Sequence, residues 1–488
     1  MPSDITLDWA PPSGSLASGG LPLVIDLDGT LVRSELLFES YFDTAILGVR
    51  HIFRMLSALR FGKTVMQRHL ADASALDYAT LPYDGHVLDL IRQAKAEGRK
   101  IYLATASDSR HAEGIVEYLG LFDGYFASDG ETNLSGGSKA EALVAAFGEE
   151  GFDYVGNAAV DLPVWNRSRK AFVVRAPSSV LARLATMRSG YATITSERPS
   201  LDVWVKALRI HQYAKNVLVF VPLVTAHRFA IEPFLTALLA FAAFSACASA
   251  TYIVNDLLDL KADRRHPSKA NRPFASGRIS IRAGMIMAPA LLFGAVAMAI
   301  AVSWAFAAVI GAYFILTSMY SFFLKRKMLI DTVVLAMLYT IRVIGGAIAI
   351  HVVMSEWLLA FSLLMFTSLA LTKRYVELAV RLEQGLSDPS SRNYRKDDMS
   401  IVASLAAAAS MNAVTIFALY ISSAQVVALY ARPDVLWLIV PLLVYWSSRT
   451  LMMAHRRLID DDPIVFAARD WNSWAVALLV ISILVIAT

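Results

Sequence analysis

Hydrophobic positions along the chain follow two regimes that change over near residue 200. Over residues 1–200 the apolar runs are short and charges are interspersed, as in a soluble domain. LPLVIDLDGT, residues 21–30, predicts a strand ending in DxDGT. KIYLATAS predicts a second strand ending in Thr105, and FDYVGNAAVDLPVW a third ending in Asn157 and Asp161. Residues 35–80 read as helical, and SGGSKAEAL sets Lys139 near a helix start. Residues 176–200 contain APSSVLARLATMRSG, either a plain linker helix or an amphipathic helix lying on a membrane. From Leu201 onward, nine runs reach membrane-spanning length: 203–224, 233–254, 281–302, 304–323, 330–350, 356–376, 400–424, 434–452 and 470–487.

The loops between these runs set an orientation. NDLLDLKADRRHPSKANRPFASG, LKRKM, KRYVELAVRLEQGLSDPSSRNYRKDD and AHRRLIDDDP carry most of the cations, whereas TAHRFAIE, HVVMSE and ARPD carry few. The positive-inside rule puts the first group in the cytoplasm, together with the N-terminal domain. Residues 1–20 have no basic flank and no apolar core, so they read as a flexible tail and not as a secretory signal. The expected location is a bacterial inner (plasma) membrane. Composition adds two exclusions. A net charge of +4 gives no nucleic-acid signal, and Cys247, the single cysteine, rules out intramolecular disulfides and cysteine-based metal sites.

The strand-end carboxylates carry chemistry. An aspartate at a strand's carboxyl end, followed by a glycine turn, sits where open α/β sheets bind ligands. In order, Asp26 and Asp28, Thr105, Lys139, and Asn157 with Asp161 resemble the haloacid-dehalogenase (HAD) superfamily of phosphohydrolases over residues 21–175. The resemblance implies a Rossmann-like α/β fold with Asp26 as nucleophile and Asp28 as general acid/base. It also implies Thr105 and Lys139 on the phosphoryl oxygens, and Mg²⁺ held by Asp26, Asp28, Asn157 and Asp161. That family usually has an aspartate where this chain has Asn157, so a non-catalytic, regulatory domain stays open.

In the membrane half, Asn255, Asp259 and Asp263 are spaced four apart. A helix advances about 100° per residue, so each lies only about 40° round from the last, with Asp256 within the same arc. Oxygen donors converging in this way suit Mg²⁺. NDLLDLKADRRHPSKANRPFASG resembles the intramembrane prenyltransferase (UbiA) superfamily over residues 201–488, an all-α membrane fold. The resemblance implies that the aspartates bind Mg²⁺ on a substrate diphosphate, with Lys269 and Arg272 as further cations.

Aromatic prenyltransferases of that family carry a second aspartate-rich motif after the sixth span. This chain has LALTKRYVELAVRL there, with Lys373, Arg374 and Glu377. Bases in place of metal-binding acids suit a second substrate that brings its own phosphate. HQYAKNVLV offers Lys215 and Asn216, and YSFFLKRKMLIDTVVL offers Tyr320, Lys325 and Asp331. SSRNYRKDD gives Arg392 and Tyr394, and Arg342 lies inside an apolar run, a costly and usually functional placement. HQYAKN, LKRxxLID and KRYVEL resemble the polyprenyl-phosphate phosphoribosyltransferase branch. This implies transfer of 5-phosphoribose from 5-phosphoribose 1-diphosphate to a polyprenyl phosphate. Joined to an HAD-type domain, the reading extends to removal of the 5-phosphate, giving polyprenyl-phospho-ribose for envelope glycan assembly. An aromatic prenyltransferase using a prenyl diphosphate, and a membrane scaffold or transporter, remain as rivals.

Overall fold

The computed structural model describes residues 20–45, 70, 74, 76–128, 133–188, 190–195, 199–388, 392–459 and 462–488. Of the expected tail only Gly20 is among them, and most of the expected helical stretch 35–80 (46–69, 71–73 and 75) lies outside the described residues. The chain divides into two compact units, Met1–Ala207 with Asp256–Met285, and Leu208–Asn255 with Ile286–Thr488.

In the first unit, β1 (Leu23–Asp26), β2 (Ile101–Asp108), β3 (Gly124–Ser128), β4 (Asp153–Gly156), β5 (Lys170–Val174) and β6 (Ala192–Thr195) form one sheet. Its order is β3-β2-β1-β4-β5-β6, with every pairing parallel. Parallel sheets are covered on both faces, and β1 (LVID) is buried throughout. Alternation sends Leu23 and Ile25 into one core with Ile101 and Leu103, and Val24 into the other with Tyr154 and Trp165. Helices α1 (Leu36–Ala45), α2 (Gly85–Ala96), α3 (Ser109–Leu119), α4 (Gly137–Phe147), α5 (Leu162–Arg167) and α6 (Ser178–Met187) complete the domain. The order switches direction between β1 and β4, so the crevice lies beyond Asp26 and Gly156.

Two expectations change here. Residues 176–200 are neither a plain linker nor a membrane-surface helix. The apolar stripe of α6 buries Val180 and Leu184 beside Trp165, and β6 adds a sixth strand against β5. Residues 256–285, expected with the membrane half, pack within the N-terminal unit. Arg264 makes a bidentate pair with Glu39 at 2.9 and 2.5 Å, both side chains buried, while Lys261 reaches Asp43 and Arg265 reaches Asp77.

The second unit is helical, and the protein is an integral membrane protein. Seven helices among the described residues are long and apolar enough to cross a membrane, not nine. They include α7 (Ile231–Leu258), whose last residues extend past the unit boundary, α8 (Ile281–Val302), α9 (Trp304–Phe322), α10 (Ile330–Ala349) and α11 (Glu356–Glu383). An eighth span exists if Pro463–Arg469 and Trp471–Ala487, bent by 80°, count as one. The expected first span, 203–224, is broken. Arg209 takes a left-handed φ of 54°, ending the helix Leu201–Leu208, and a 3₁₀ stretch Ile210–Phe220 follows. Lys215 and Asn216 are buried within that stretch, which a continuous lipid-facing helix would not accommodate.

Candidate functional site

Asp26 closes β1 at the crevice. One of its oxygens accepts from Lys139 Nζ at 2.7 Å and the other from Thr30 Oγ1 at 3.0 Å. Lys139, near the start of α4, also donates to Tyr154 Oη at 3.1 Å. Tyr154 in turn donates to Asp161 at 2.8 Å. One ammonium is therefore shared among crowded carboxylates. Burial works against the charge of Lys139, but Asp26 and Asp161 outweigh it and hold Lys139 above the usual lysine range. Asp26 is left short of positive charge: burial, with Asp161 and Asp28 nearby, pushes it up to about 7 against the pull of Lys139.

Asp28 is positioned from two sides, by Leu36 N at 2.7 Å and Ser107 Oγ at 2.6 Å. Gly29 adopts φ +76°, and a Cβ there would lie 2.1 Å from Asn157 Nδ2, so only glycine lets this turn meet the β4 loop. Asp26, Asp28, Ser107, Lys139, Asn157 and Arg175 are among the residues lining one cavity of about 600 Å³. Two of the expected site residues, Thr105 and Asp161, do not line this cavity. Thr105 is fully buried and absent from the cavity wall; its hydroxyl accepts from Ser107 N at 3.0 Å and approaches Asp28 at 3.5 Å. Ser107 is the hydroxyl exposed to the cavity. Asp161 accepts from Tyr154 at 2.8 Å and from the backbone N–H groups of Asn157 and Ala158, both at 3.0 Å, and so braces the β4 loop.

Among the described residues, no three His, Cys, Asp or Glu side chains are gathered as a ready-made metal site. The donor set at the crevice nevertheless fits Mg²⁺. Asp26, Asp28 and Asn157 offer oxygen donors, and the one ammonium of Lys139 is shared between Asp26 and Asp161.

Asp259 stands where α7 ends and the short helix Leu260–Arg265 begins; the bond from Asp263 N to Asp259 O, 2.8 Å, carries the helical course across the break. Arg272 bridges Asp256 at 3.1 Å and Asp263 at 2.7 Å, occupying the place of a cation between two carboxylates. Burial nonetheless pushes Asp263 above the usual carboxylate range. This oxygen set, balanced by a displaceable guanidinium, also fits Mg²⁺. Lys269 is exposed in the same loop. Asn255, in the second unit, donates to Ser321 Oγ at 3.0 Å.

Two polar clusters occur inside the second unit. Lys215 and Lys373 share Asp462 at 2.6 and 3.0 Å. Asp331 accepts from Tyr394 Oη at 2.7 Å and pairs with Arg374 at 3.0 Å, while Glu377 joins Arg374 to Arg392. Arg374 is 1% exposed, and among the described residues its Nη2 has no hydrogen-bond partner. Tyr320 and Lys325 have intermediate exposure. Arg342 differs from expectation: its nitrogens go to Asn216 Oδ1 at 2.7 Å, Tyr313 Oη at 2.8 Å and the Leu338 carbonyl. Those bonds make it a cross-link within the bundle, with a partner on each guanidinium nitrogen. Asp462, Thr30, Ser107 and Tyr154 were not singled out from the sequence. IDDDP was visible, but nothing local linked Asp462 to Lys215, 247 residues away.

Comparison with known proteins gives two family matches: residues 217–474 match the UbiA prenyltransferase family, and residues 23–160 match haloacid dehalogenase-like hydrolase. The protein y4nM of Sinorhizobium fredii is 37% identical over 96% of this chain and 91% of its own. Nodulation protein NoeC of Azorhizobium caulinodans is 35% identical over 55% of this chain and 88% of its own. Decaprenyl-phosphate phosphoribosyltransferase of Corynebacterium glutamicum is 34% identical over 38% of this chain and 57% of its own length.

Proposed function

The chain belongs to the UbiA prenyltransferase family and carries an HAD-like hydrolase domain, and from this we propose a two-step enzyme acting on a membrane polyprenyl phosphate. In the first step an oxygen of polyprenyl phosphate attacks the anomeric carbon of 5-phosphoribose 1-diphosphate. The bond from C1 to the diphosphate breaks, and diphosphate leaves. The observation that carries this reading is the basic set of buried Lys215 and Arg374 with partly exposed Lys373, the arginine having a nitrogen unpartnered among the described residues, where an anionic nucleophile needs positive partners. Similarity to a decaprenyl-phosphate phosphoribosyltransferase supports the same substrates. An anionic acceptor can compete with Asp462, Asp331 and Glu377 for these cations, which a neutral aromatic ring cannot do.

Asp256, Asp259 and Asp263 would hold Mg²⁺ for the diphosphate, and Asp26, Asp28 and Asn157 would hold it in the HAD-like domain. When bound, the ion neutralises phosphoryl and diphosphate oxygens as charge develops on them. Arg272, released from Asp256 and Asp263, becomes available to the diphosphate, with Lys269 in the same loop.

In the second step a carboxylate oxygen of Asp26 attacks the phosphorus of the 5-phosphate. The P–O bond to C5 breaks, and Asp28 supplies the proton taken up by the departing alkoxide. Water, deprotonated by Asp28, then attacks the aspartyl phosphate, releasing inorganic phosphate and restoring Asp26. Lys139 orients the Asp26 carboxylate throughout. The lipid product is polyprenyl-phospho-ribose, made at the cytoplasmic face of a bacterial inner membrane.

The test supplies purified protein with labelled 5-phosphoribose 1-diphosphate, polyprenyl phosphate and Mg²⁺. Label is expected in the lipid fraction. Label confined to the water phase, with transfer seen only from prenyl diphosphate to a hydroxybenzoate-type ring, contradicts the first step.

A further inference from the structure

The segment that follows the aspartates of α7 folds onto the HAD-like domain and closes its cleft. Residues 256–285 belong to the N-terminal unit, fastened by the buried Arg264–Glu39 pair. Gly277 marks the closest approach. It has φ +67°, and a Cβ there would stand 2.6 Å from Arg33 Cβ and 3.2 Å from Pro82 Cβ. Beyond it, residues 277–283 form one side of the cavity that also contains Asp26 and Asp28. A chain segment lying within the UbiA match thus walls the hydrolase cleft.

The chemistry of that wall is specific. The cavity's cations, Lys139, Arg33, Arg175, Arg278 and Arg282, outnumber its carboxylates, Asp26, Asp28 and Glu35. Lys139 is committed to Asp26. Arg33 and Arg175 are fixed on the fully buried Asp84. Arg278 is steadied by Ser276 Oγ at 3.1 Å and by the Asn271 carbonyl; among the described residues neither Arg278 nor Arg282 has a carboxylate partner. At about 600 Å³ the space is of a size for a whole sugar phosphate, much more than a phosphoryl group. The lining therefore combines the nucleophile and its lysine with two arginines that have no carboxylate partner among the described residues.

We propose that Gly277–Ala283 is the specificity wall of the phosphatase cleft, and that Arg278 and Arg282 bind a second, phosphodiester phosphate of the substrate. This rests on the phosphatase reading above. It restricts that activity to phosphomonoesters bearing another phosphate at sugar length, as the lipid-linked transferase product does, and disfavours free ribose 5-phosphate.

Two probes test it on the full-length protein in detergent with Mg²⁺: ribose 5-phosphate, and ribose 5-phosphate carrying an octyl phosphodiester at C1. Wild type is expected to prefer the octyl probe. In the Arg278→Ala/Arg282→Ala double variant the ratio of kcat/KM between the probes should fall about tenfold or more, through KM, as lost charge-assisted contacts imply. The double lysine variant should restore much of the ratio, and Gly277→Val, which dislodges the wall without changing charge, should lower it. An unchanged ratio in the double alanine variant overturns the proposal, as does an equal loss on both probes. A separate arm measures equilibrium binding of the two probes to Asp26→Asn protein, with and without the arginine substitutions. If wild type hydrolyses neither probe, the phosphatase reading fails, yet this arm still decides the wall. Selective weakening of the octyl probe supports the proposal, and equal affinities for both probes defeat it.

Discussion

The aspartates that end β1 and those that end α7 are both candidate ligands for a divalent ion, but their oxygens are held differently. Asp26 and Asp28 are bound by Lys139, Thr30, Ser107 and the backbone of Leu36 before any ligand arrives. Such a network is preorganised, and its geometry costs little further ordering on binding. Asp256 and Asp263 instead share one half-exposed guanidinium, Arg272, with a short helix beginning between them. Their charge is balanced by a group that can be displaced. The first cluster is built for a fixed reaction centre. The second is built to exchange one cation for another.

The sharpest way to break this contrast is to remove one carboxylate at each place. Asp26→Asn should abolish phosphomonoester hydrolysis, on the order of 10³-fold or more, while leaving transfer to lipid. Asp259→Asn should do the reverse. Loss of both activities from either substitution, measured by separate phosphate-release and lipid-labelling assays, would show that the two clusters are not independent sites.

Next in size is the scaffold of the first site. Asp84 is fully buried between Arg33 and Arg175. Asp84→Asn should destabilise the N-terminal unit by about 1–3 kcal/mol, because it removes the charged acceptor shared by two partly exposed guanidinium groups. Resistance of that unit to proteolysis in urea measures the change. The same pair gives a pH dependence. Burial alone would raise Asp84, but Arg175 and Arg33 hold it below the usual carboxylate range. A lowered folded value means that the stabilisation is complete above about pH 4 and is lost as pH falls through the folded value. Wild type should lose urea resistance progressively below about pH 4, and Asp84→Asn should lose much less.

A smaller effect sharpens the second site. Arg272→Ala removes the cation competing for Asp256 and Asp263, so less Mg²⁺ should be needed to protect the loop from proteolysis, by roughly threefold to tenfold. Turnover should fall at the same time, since Arg272 no longer reaches the diphosphate. A higher Mg²⁺ requirement would contradict the exchange of cations.

Much of the first site was legible because its residues sit at strand ends in a fixed order: DxDGT, TAS, Lys139 and GNAAVD each follow or flank an apolar run that can only be a buried strand. What stayed hidden depended on distance in the chain. Thr105 and Ser107 are two residues apart on β2, just beyond its last pair with β1 and where its register with β3 shifts, and only Ser107 lines the cavity. In the membrane half, apolar length marked most spans, but 203–224 was apolar enough to mislead. The left-handed turn at Arg209 and the buried Lys215 and Asn216 are tertiary effects, invisible to a hydropathy window. The Arg264–Glu39 pair, 225 residues apart, likewise moves a loop from one unit to the other with no local signal.

The central claim is that the two clusters act in sequence on one lipid. The most direct measurement is the mass of the lipid formed from 5-phosphoribose 1-diphosphate, polyprenyl phosphate and Mg²⁺ by wild type and by Asp26→Asn protein. The expected result is polyprenyl-phospho-ribose from wild type and the same lipid still bearing its 5-phosphate from the variant. Identical lipids from the two proteins would contradict the account.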